Sequence, residues 1–182
     1  MYVLLYLHCL YRRLFFSFTS STTSISQFMK ILFICLGNIC RSVTAEEIFR
    51  QYLRRNGLEQ GVEVDSAGMI DYHEGELADP RMRKHAFDRG YKLTHRSRPV
   101  VERDFYEFDY MVVMDEDNVR RLQRLQPNGT FKAKLLRMAD FLQNYDYVYI
   151  PDPYYGDASD FELVIDLLED ASPALWQHIA RE

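Results

Sequence analysis

Residues 35–42 read CLGNICRS, a stretch that puts a thiol, a guanidinium and a hydroxyl in one short loop. Cys35 and Arg41 stand five residues apart in the Cys-x5-Arg sense, and Ser42 follows at once. Before the loop comes the apolar run KILFI (30–34), and after it residues recur at helical spacing. The stretch therefore opens onto a helix N-terminus, where free N–H groups and the helix dipole favour an anion such as phosphate. Gly37 and Asn38 are types that tolerate left-handed backbone geometry, which turns successive N–H groups inward as an anion nest. The pattern is not the Walker loop, because its lysine is absent and a cysteine holds the floor. A cysteine facing converging N–H donors and an arginine ionises below the ordinary thiol range of about 8.5, and its thiolate is a nucleophile. Arg41 offers a planar fork that grips two phosphoryl oxygens and stays cationic. Ser42 can donate its hydroxyl to the thiolate and stabilise it as a leaving group. Each residue also has a plainer role: Cys-x5-Arg arises by accident, Gly37 and Asn38 make an ordinary turn, and Ser42 caps a helix. The combination, placed between a strand and an amphipathic helix, is what points to chemistry.

The elements that must hold this loop are legible in the periodicity. KILFI reads as a buried strand ending at a turn. Ala45, Ile48, Phe49, Tyr52 and Leu53 fall on one helical face, Glu46, Glu47, Arg50 and Arg54 are expected to face away, and Gly57 stands where a C′ glycine belongs. VEVDS (62–66) and YMVVM (110–114) are further strand candidates. The stretch from Asp79 to Gly90 starts with Asp-Pro and ends in Gly, as a helix does. Asp115 is placed to cap a helix through about Leu125. Ser159 with Glu162 reads as a capping box opening a helix that carries Phe161, Val164, Leu167, Leu168 and Ala171, and Pro173 is expected to kink or interrupt it. KAKLLRM (132–138) is too short to assign by period. Strands alternating with helices imply an α/β fold, a parallel sheet covered by helices on both faces, with ligands bound beyond the carboxyl ends of the strands.

The chain has 182 residues, 47% of them apolar and 27% charged, which suits one globular domain with a substantial core. Eight glycines and six prolines exclude a low-complexity chain. Three cysteines leave one unpaired in any disulfide scheme, which favours a reducing, cytoplasmic setting. The net charge is −5 and no long Lys/Arg run offers a footprint for nucleic acid. The average conceals a boundary near Met29. Residues 1–28 hold Arg12 and Arg13 as their formal charges, while the rest carries 20 basic and 27 acidic groups, a net −7. Eight of residues 17–26 are Ser or Thr. The two arginines follow the first apolar run, unlike a secretory signal, and neither half nears the roughly 20 apolar residues of a membrane span. Residues 1–28 are therefore expected to be an extension, disordered or upstream of the natural start, without stable membrane insertion, with a membrane-associating or exported leader as the alternative; residues 29–182 form the domain. Cys9 lies in that extension and has no assigned role.

Taken together, these segments resemble the low-molecular-weight protein tyrosine phosphatases. CLGNICRS matches that family's active-site signature, and Asp152, Pro153, Tyr154, Tyr155 and Gly156 match its Asp-Pro-Tyr-Tyr-Gly loop. DSAG (65–68), DPR (79–81), HRSRPV (95–100) and FDYMVVMDEDN (108–118) also look like family segments, so the resemblance runs from Met29 to about Arg181. It implies a four-stranded parallel sheet flanked by helices, with KAKLLRM as a strand and the phosphate loop after the first strand. It implies hydrolysis of phosphotyrosine in protein substrates through a phosphocysteine, without a cofactor. Cys35 would be the nucleophile, Arg41 the phosphate clamp and Asp152 the general acid on a proline-stiffened loop, with Leu36, Gly37, Asn38, Ile39, Cys40 and Ser42 completing the loop. Asp-Pro is by itself an ordinary turn opener. Tyr72, Tyr154 and Tyr155 would line the substrate cleft; otherwise Tyr72 is an exposed surface tyrosine and Tyr154 and Tyr155 are partly buried turn aromatics, and in the family the tyrosine pair can itself be phosphorylated.

Departures matter as well. Val43 replaces the proline usual at the first helical position, removing some pre-organisation of the helix start. Cys40 could form a protective disulfide with Cys35, a use the resemblance supports, or serve as a small buried apolar residue. Histidines 8, 73, 85, 95 and 178 show no metal-ligand pairing, so no metal site is expected. Protein arginine phosphatases share the loop but usually have Thr where this chain has Ile39, and arsenate reductases add a redox cysteine pair that this chain lacks after Cys40. A non-catalytic phosphotyrosine-binding module would keep the loop but lose Cys35 or Asp152.

Overall fold

The computed structural model describes residues 28–126 and 132–182. Residues 1–27, including Cys9, Arg12 and Arg13, lie outside the described residues, and so does the reading of that extension. Strand β1 spans Met29–Cys35, β2 Val62–Gly68, β3 Tyr110–Val113 and β4 Lys134–Arg137. They form one four-stranded sheet in the order β2-β1-β3-β4, every pairing parallel. Helix α1 covers Arg41–Arg55, α2 Pro80–Asp88, the short α3 Asp104–Glu107, α4 Glu116–Leu125 and α5 Ala158–Ile179; a 3₁₀ turn at Met138–Phe141 follows β4.

Period-2 alternation in the central strands divides the core into two layers. Ile31 and Phe33 of β1 with Tyr110 and Val112 of β3 pack with Ile48, Phe49 and Leu53 of α1 and Val164, Leu168 and Leu175 of α5. Leu32, Ile34, Met111 and Val113 face the other way, onto Phe105, Phe108, Val119 and Leu122. Helices thus cover both faces, as a parallel sheet requires because neither face of it can remain apolar and wet. Four consecutive residues of β1, Ile31 to Ile34, are fully buried, which explains the unbroken apolar run.

Helix boundaries follow local chemistry. Asp79 accepts from the Arg81 amide at 2.8 Å, and Pro80 sits in the first turn of α2, where its missing N–H costs nothing. Asp115 accepts from the Asn118 amide at 2.8 Å and caps α4. Gly57 and Gly90 take φ of 65° and 88° after α1 and α2. Helix α5 begins differently from the expected Ser159–Glu162 box: Asp157 caps it, and Asp160 returns its side chain to the Asp157 amide at 2.8 Å. Nor does Pro173 interrupt that helix, which continues to Ile179. Buried residues lie on both sides of Pro173, Leu168 and Ala171 before it and Leu175 and Ile179 after it, so packing offsets the lost backbone bond.

Glu46 also departs from expectation. It is 3% exposed and faces inward, where Ser66 Oγ donates to it at 2.6 Å and Arg50 at 2.7 Å. Among the described residues, no helix is long and apolar enough to cross a membrane.

Candidate active site

The loop 36–40 leaves the carboxyl end of the central strand β1 and enters α1 at Arg41. Its start is moored to the segment just after β2 by the Met69 amide donating to Cys35 O at 3.0 Å and the Ile70 amide donating to Leu36 O at 3.1 Å. Gly68 permits this approach: a Cβ there would stand 3.1 Å from the backbone of both Leu36 and Gly37. Of the two loop residues expected to tolerate left-handed geometry, Asn38 adopts it, at φ 55°, while Gly37 does not. The value of glycine at 37 lies in space, since a Cβ would come 3.3 Å from the His73 ring.

Cys35 lies at the base of a cleft of about 250 Å³ and is 2% exposed. Ser42 Oγ sits 3.1 Å from its sulfur, and the Asn38 amide donates to the sulfur at 3.3 Å. The amides of Gly37, Ile39 and Cys40 donate to no group among the described residues. Such unpaired N–H groups around a sulfur at a helix N-terminus form an anion cradle.

Arg41 occupies the wall above the sulfur. One terminal nitrogen donates to Asp115 Oδ2 at 2.5 Å and to the carbonyl of Ile150 at 3.2 Å; the other donates to Asp152 Oδ2 at 2.5 Å. Its Nε is buried and has no partner among the described residues. Burial opposes the Arg41 charge, but Cys35, Asp152 and Asp115 outweigh it and hold the guanidinium above its ordinary range. Asp152 closes the cleft from the loop before α5, its second oxygen accepting from the Tyr154 amide at 3.2 Å. Gly156 completes that loop, because a Cβ there would collide with the Asp160 carboxylate.

Behind the cleft stands a polar network. Asn38 Nδ2 donates to Ser42 and to Ser66 at 2.9 Å each, and its Oδ1 faces His95 Nε2 at 3.1 Å and accepts from the Arg98 amide at 3.0 Å. His95 Nδ1 lies 3.2 Å from Glu46 and 3.4 Å from Asp65. Glu46, Asp65 and His95 bring ligand-type atoms within 4.8 Å of one another; Glu46 Oε2 accepts from Ser66 Oγ and Asp65 Oδ1 from the Ser66 amide, while Asp65 Oδ2 and His95 Nε2 are engaged with Arg98 and Asn38. Cys40 is buried and lines the cleft as a free thiol; burial, with the charge of Cys35 adding to it, pushes its pKa up.

The cleft gathers Cys35, Leu36, Gly37, Ile39, Cys40, Arg41, Tyr72, Asp152, Tyr154 and Tyr155, while Asn38 and Ser42 support it from behind. Val43 is buried in the core at the start of α1. Tyr72 and Tyr155 stand at the rim, 81% and 96% exposed. Residues that the sequence reading did not assign to the site also contribute. Ile70 and His73 line it, and Asp115 and the Ile150 carbonyl hold Arg41. Arg81 donates to the Tyr154 carbonyl at 2.9 Å while paired with Asp79, tying the Asp152 loop to α2. Asp115 could have been flagged by its place at the end of β3, where a parallel sheet collects functional groups. His73 carries no such signal.

Residues 30–182 match the family described as low molecular weight phosphotyrosine protein phosphatase. The chain belongs to that family. A Streptomyces coelicolor low molecular weight protein-tyrosine-phosphatase is 40% identical over 148 residues, 80% of this chain and 90% of that protein. The human low molecular weight phosphotyrosine protein phosphatase is 40% identical over 138 residues, 74% of this chain and 85% of its own. Among solved structures, a protein tyrosine phosphatase from Entamoeba histolytica with Hepes in its active site superposes with a TM-score of 0.80 at 44% identity, covering 84% of this chain and 97% of that one. The four-stranded parallel sheet with the loop after β1 is thus the architecture this phosphatase family resemblance implied.

Proposed function

We propose that the chain hydrolyses phosphotyrosine in protein substrates through a phosphocysteine, with Cys35, Arg41 and Asp152 as the catalytic residues. The observation that carries this reading is the convergence on one cleft of a buried sulfur, a buried guanidinium with an unpaired Nε, and the Asp152 carboxyl. The domain acting is 29–182, and a reducing, cytoplasmic setting suits its free thiols.

The substrate phosphoryl group takes the unpaired Nε and the terminal nitrogen that Asp152 holds in this structure. Asp115 and the Ile150 carbonyl keep the other nitrogen, so the guanidinium plane stays fixed while Asp152 is released toward the leaving group. Amides of Gly37, Ile39 and Cys40 receive the remaining oxygens, giving donors in place before charge moves. The thiolate of Cys35 attacks phosphorus in line; the S–P bond forms as the P–O bond to the aryl oxygen breaks, and the Asp152 proton passes to that oxygen. Water then attacks the phosphocysteine and gives its proton to the Asp152 carboxylate. The S–P electron pair returns to sulfur, where the Ser42 hydroxyl and the Asn38 amide stabilise it. Tyr72, Tyr154 and Tyr155 supply aromatic walls for an aryl group.

Cys35→Ser is expected to abolish turnover of aryl phosphates while vanadate still binds, and near-normal turnover would overturn the nucleophile assignment. Asp152→Asn should slow phosphotyrosine, a poor leaving group, by roughly 10²–10⁴-fold and activated aryl phosphates much less. Uniform losses across leaving groups would reduce Asp152 to a loop former. Turnover of phosphoarginine exceeding that of phosphotyrosine peptide would overturn the substrate class.

A further inference from the structure

Away from the cleft, α2 presents a second face of opposite character to the rest of the chain. Pro80, Arg83, Lys84 and Phe87 fall at i, i+3, i+4 and i+7, so they share one side of the helix. Met82 and Ala86 are fully buried on the other side. Together with Lys92 and Leu93 of the following segment, that outer face lines a groove of about 550 Å³. Three of the lining residues are basic and none is acidic, in a chain whose net charge is −5.

The cations are available. The side chains of Arg83 and Lys92 have no hydrogen-bond or ion-pair partner among the described residues. Lys84 pairs with Asp88 at 2.7 Å, but both side chains are largely exposed, and such pairs contribute little and exchange readily. Acids packed around α2 are committed elsewhere: Asp79 to Arg81, Glu162 to His85 and Arg89, Glu169 to Arg89 and Tyr91. Phe87, 69% exposed, adds an aromatic side chain among these charges. Uncompensated cations around an exposed ring complement an acidic peptide carrying an apolar side chain.

We propose that this groove docks an acidic segment of the phosphotyrosine protein substrate, a site separate from the cleft and resting on the phosphatase reading above. Its position supports this. His73 lines the cleft and Leu77 lines the groove, four residues apart, so the two lie within about 14 Å along the chain. About four extended residues reach the near edge of the groove at Leu77, so a substrate held by its phosphotyrosine lays residues about five to eight positions away across α2.

The test has two readouts. In the first, a fluorescein-labelled, unphosphorylated acidic peptide containing Leu and Phe is titrated with the full chain and read by anisotropy. Binding is expected, weakening roughly tenfold in Arg83→Glu/Lys92→Glu and by a smaller factor in Arg83→Gln/Lys92→Gln, and weakening with salt. In the second, phosphotyrosine peptides with an Asp/Glu or a Lys cluster five to eight residues from the phosphotyrosine are compared. The acidic peptide should have a roughly tenfold lower KM in the wild type, kcat should match, and the charge-reversed variant should lose the preference. Turnover of p-nitrophenyl phosphate and the melting temperature should not change in either variant. Equal KM values, or a preference that survives the double substitution, overturns the proposal. So does loss of self-association, or of binding to phosphatidylserine vesicles, in the variant without any change in peptide affinity. Failure of the phosphatase reading appears instead as absent p-nitrophenyl phosphate turnover in the wild type, which leaves the anisotropy readout to decide the groove.

Discussion

Replacing Asn38 by alanine removes the centre of the network behind the cleft. Four hydrogen-bond contacts vanish, to Ser42, Ser66, His95 and the Arg98 amide. At about 0.5–1.5 kcal/mol each, their combined loss is about 2–6 kcal/mol, and Ser42 and Ser66 are fully buried, so little water replaces those two contacts. Asn38 also holds φ at 55°, a region asparagine visits more readily than alanine, which adds about 1 kcal/mol. A total near 3–5 kcal/mol is expected once some relaxation is allowed. For a chain of this size that corresponds to a melting temperature lower by roughly 10 °C. Asn38→Gly loses the same contacts but not the backbone cost, so it should be the more stable of the two by about 1 kcal/mol. Urea unfolding of both variants measures these differences, and aryl phosphate turnover should fall in both as Ser42 loses its fixed position beside Cys35. An alanine variant within 1 kcal/mol of wild type, or a glycine variant less stable than it, would refute the reasoning.

Three further outcomes are expected. Burial, reinforced by carboxylates at Glu169 and Glu182, raises the hydroxyls of Tyr91 and Tyr110 to about 12. Their stabilisation is therefore complete below pH ~10 and lost as pH rises through about 12, and Tyr91→Phe or Tyr110→Phe should flatten urea midpoints measured across that window. Hydrogen peroxide should inactivate the enzyme reversibly through a Cys35–Cys40 disulfide, and Cys40→Ser should keep basal activity but recover less on thiol treatment; equal recovery removes the protective role. A chain beginning at Met29 should match the full chain in melting temperature and turnover, and a loss of either would assign residues 1–28 to the domain.

Strands β1, β2 and β3 and the loop from Cys35 to Ser42 were legible because each rests on a local signal: apolar runs, helical spacing, and a dense cluster of chemically specific residues. Strand β4, with four residues, is too short to show a period, and Asp152 stands in an Asp-Pro step that also opens ordinary turns, so the family resemblance had to mark both. What escaped was set by tertiary contacts. Glu46 lies one position from the apolar stripe of α1, and helical periodicity tracks apolar residues, so it could not register that Ser66 and His95 draw the carboxylate inward. The α5 cap was misplaced because aspartate, not glutamate or glutamine, occupies the third position of its box. Pro173 suggested a break that packing on both flanks overrides. Asp115 displayed its role as a helix cap, yet its second oxygen serves Arg41 from 74 residues away.

The central placement of β1 governs when the cleft can exist at all. Its two neighbours come from opposite stages of synthesis: β2 follows directly after α1, whereas β3 pairs Tyr110 with Ile31 only after a long excursion. The second carboxylate on Arg41 arrives later still, 111 residues downstream, and the helix that anchors its loop ends at Ile179. A chain emerging from the ribosome at about 5–20 residues per second thus carries Cys35 and Arg41 for several seconds before Asp152 is there to face them. Non-local pairing of this kind also slows the search for the native arrangement. Assembly of the cleft around Cys35 is thereby tied to synthesis through Asp152 and α5, and a product that stops before Asp152 lacks that carboxylate on Arg41 by construction of the topology.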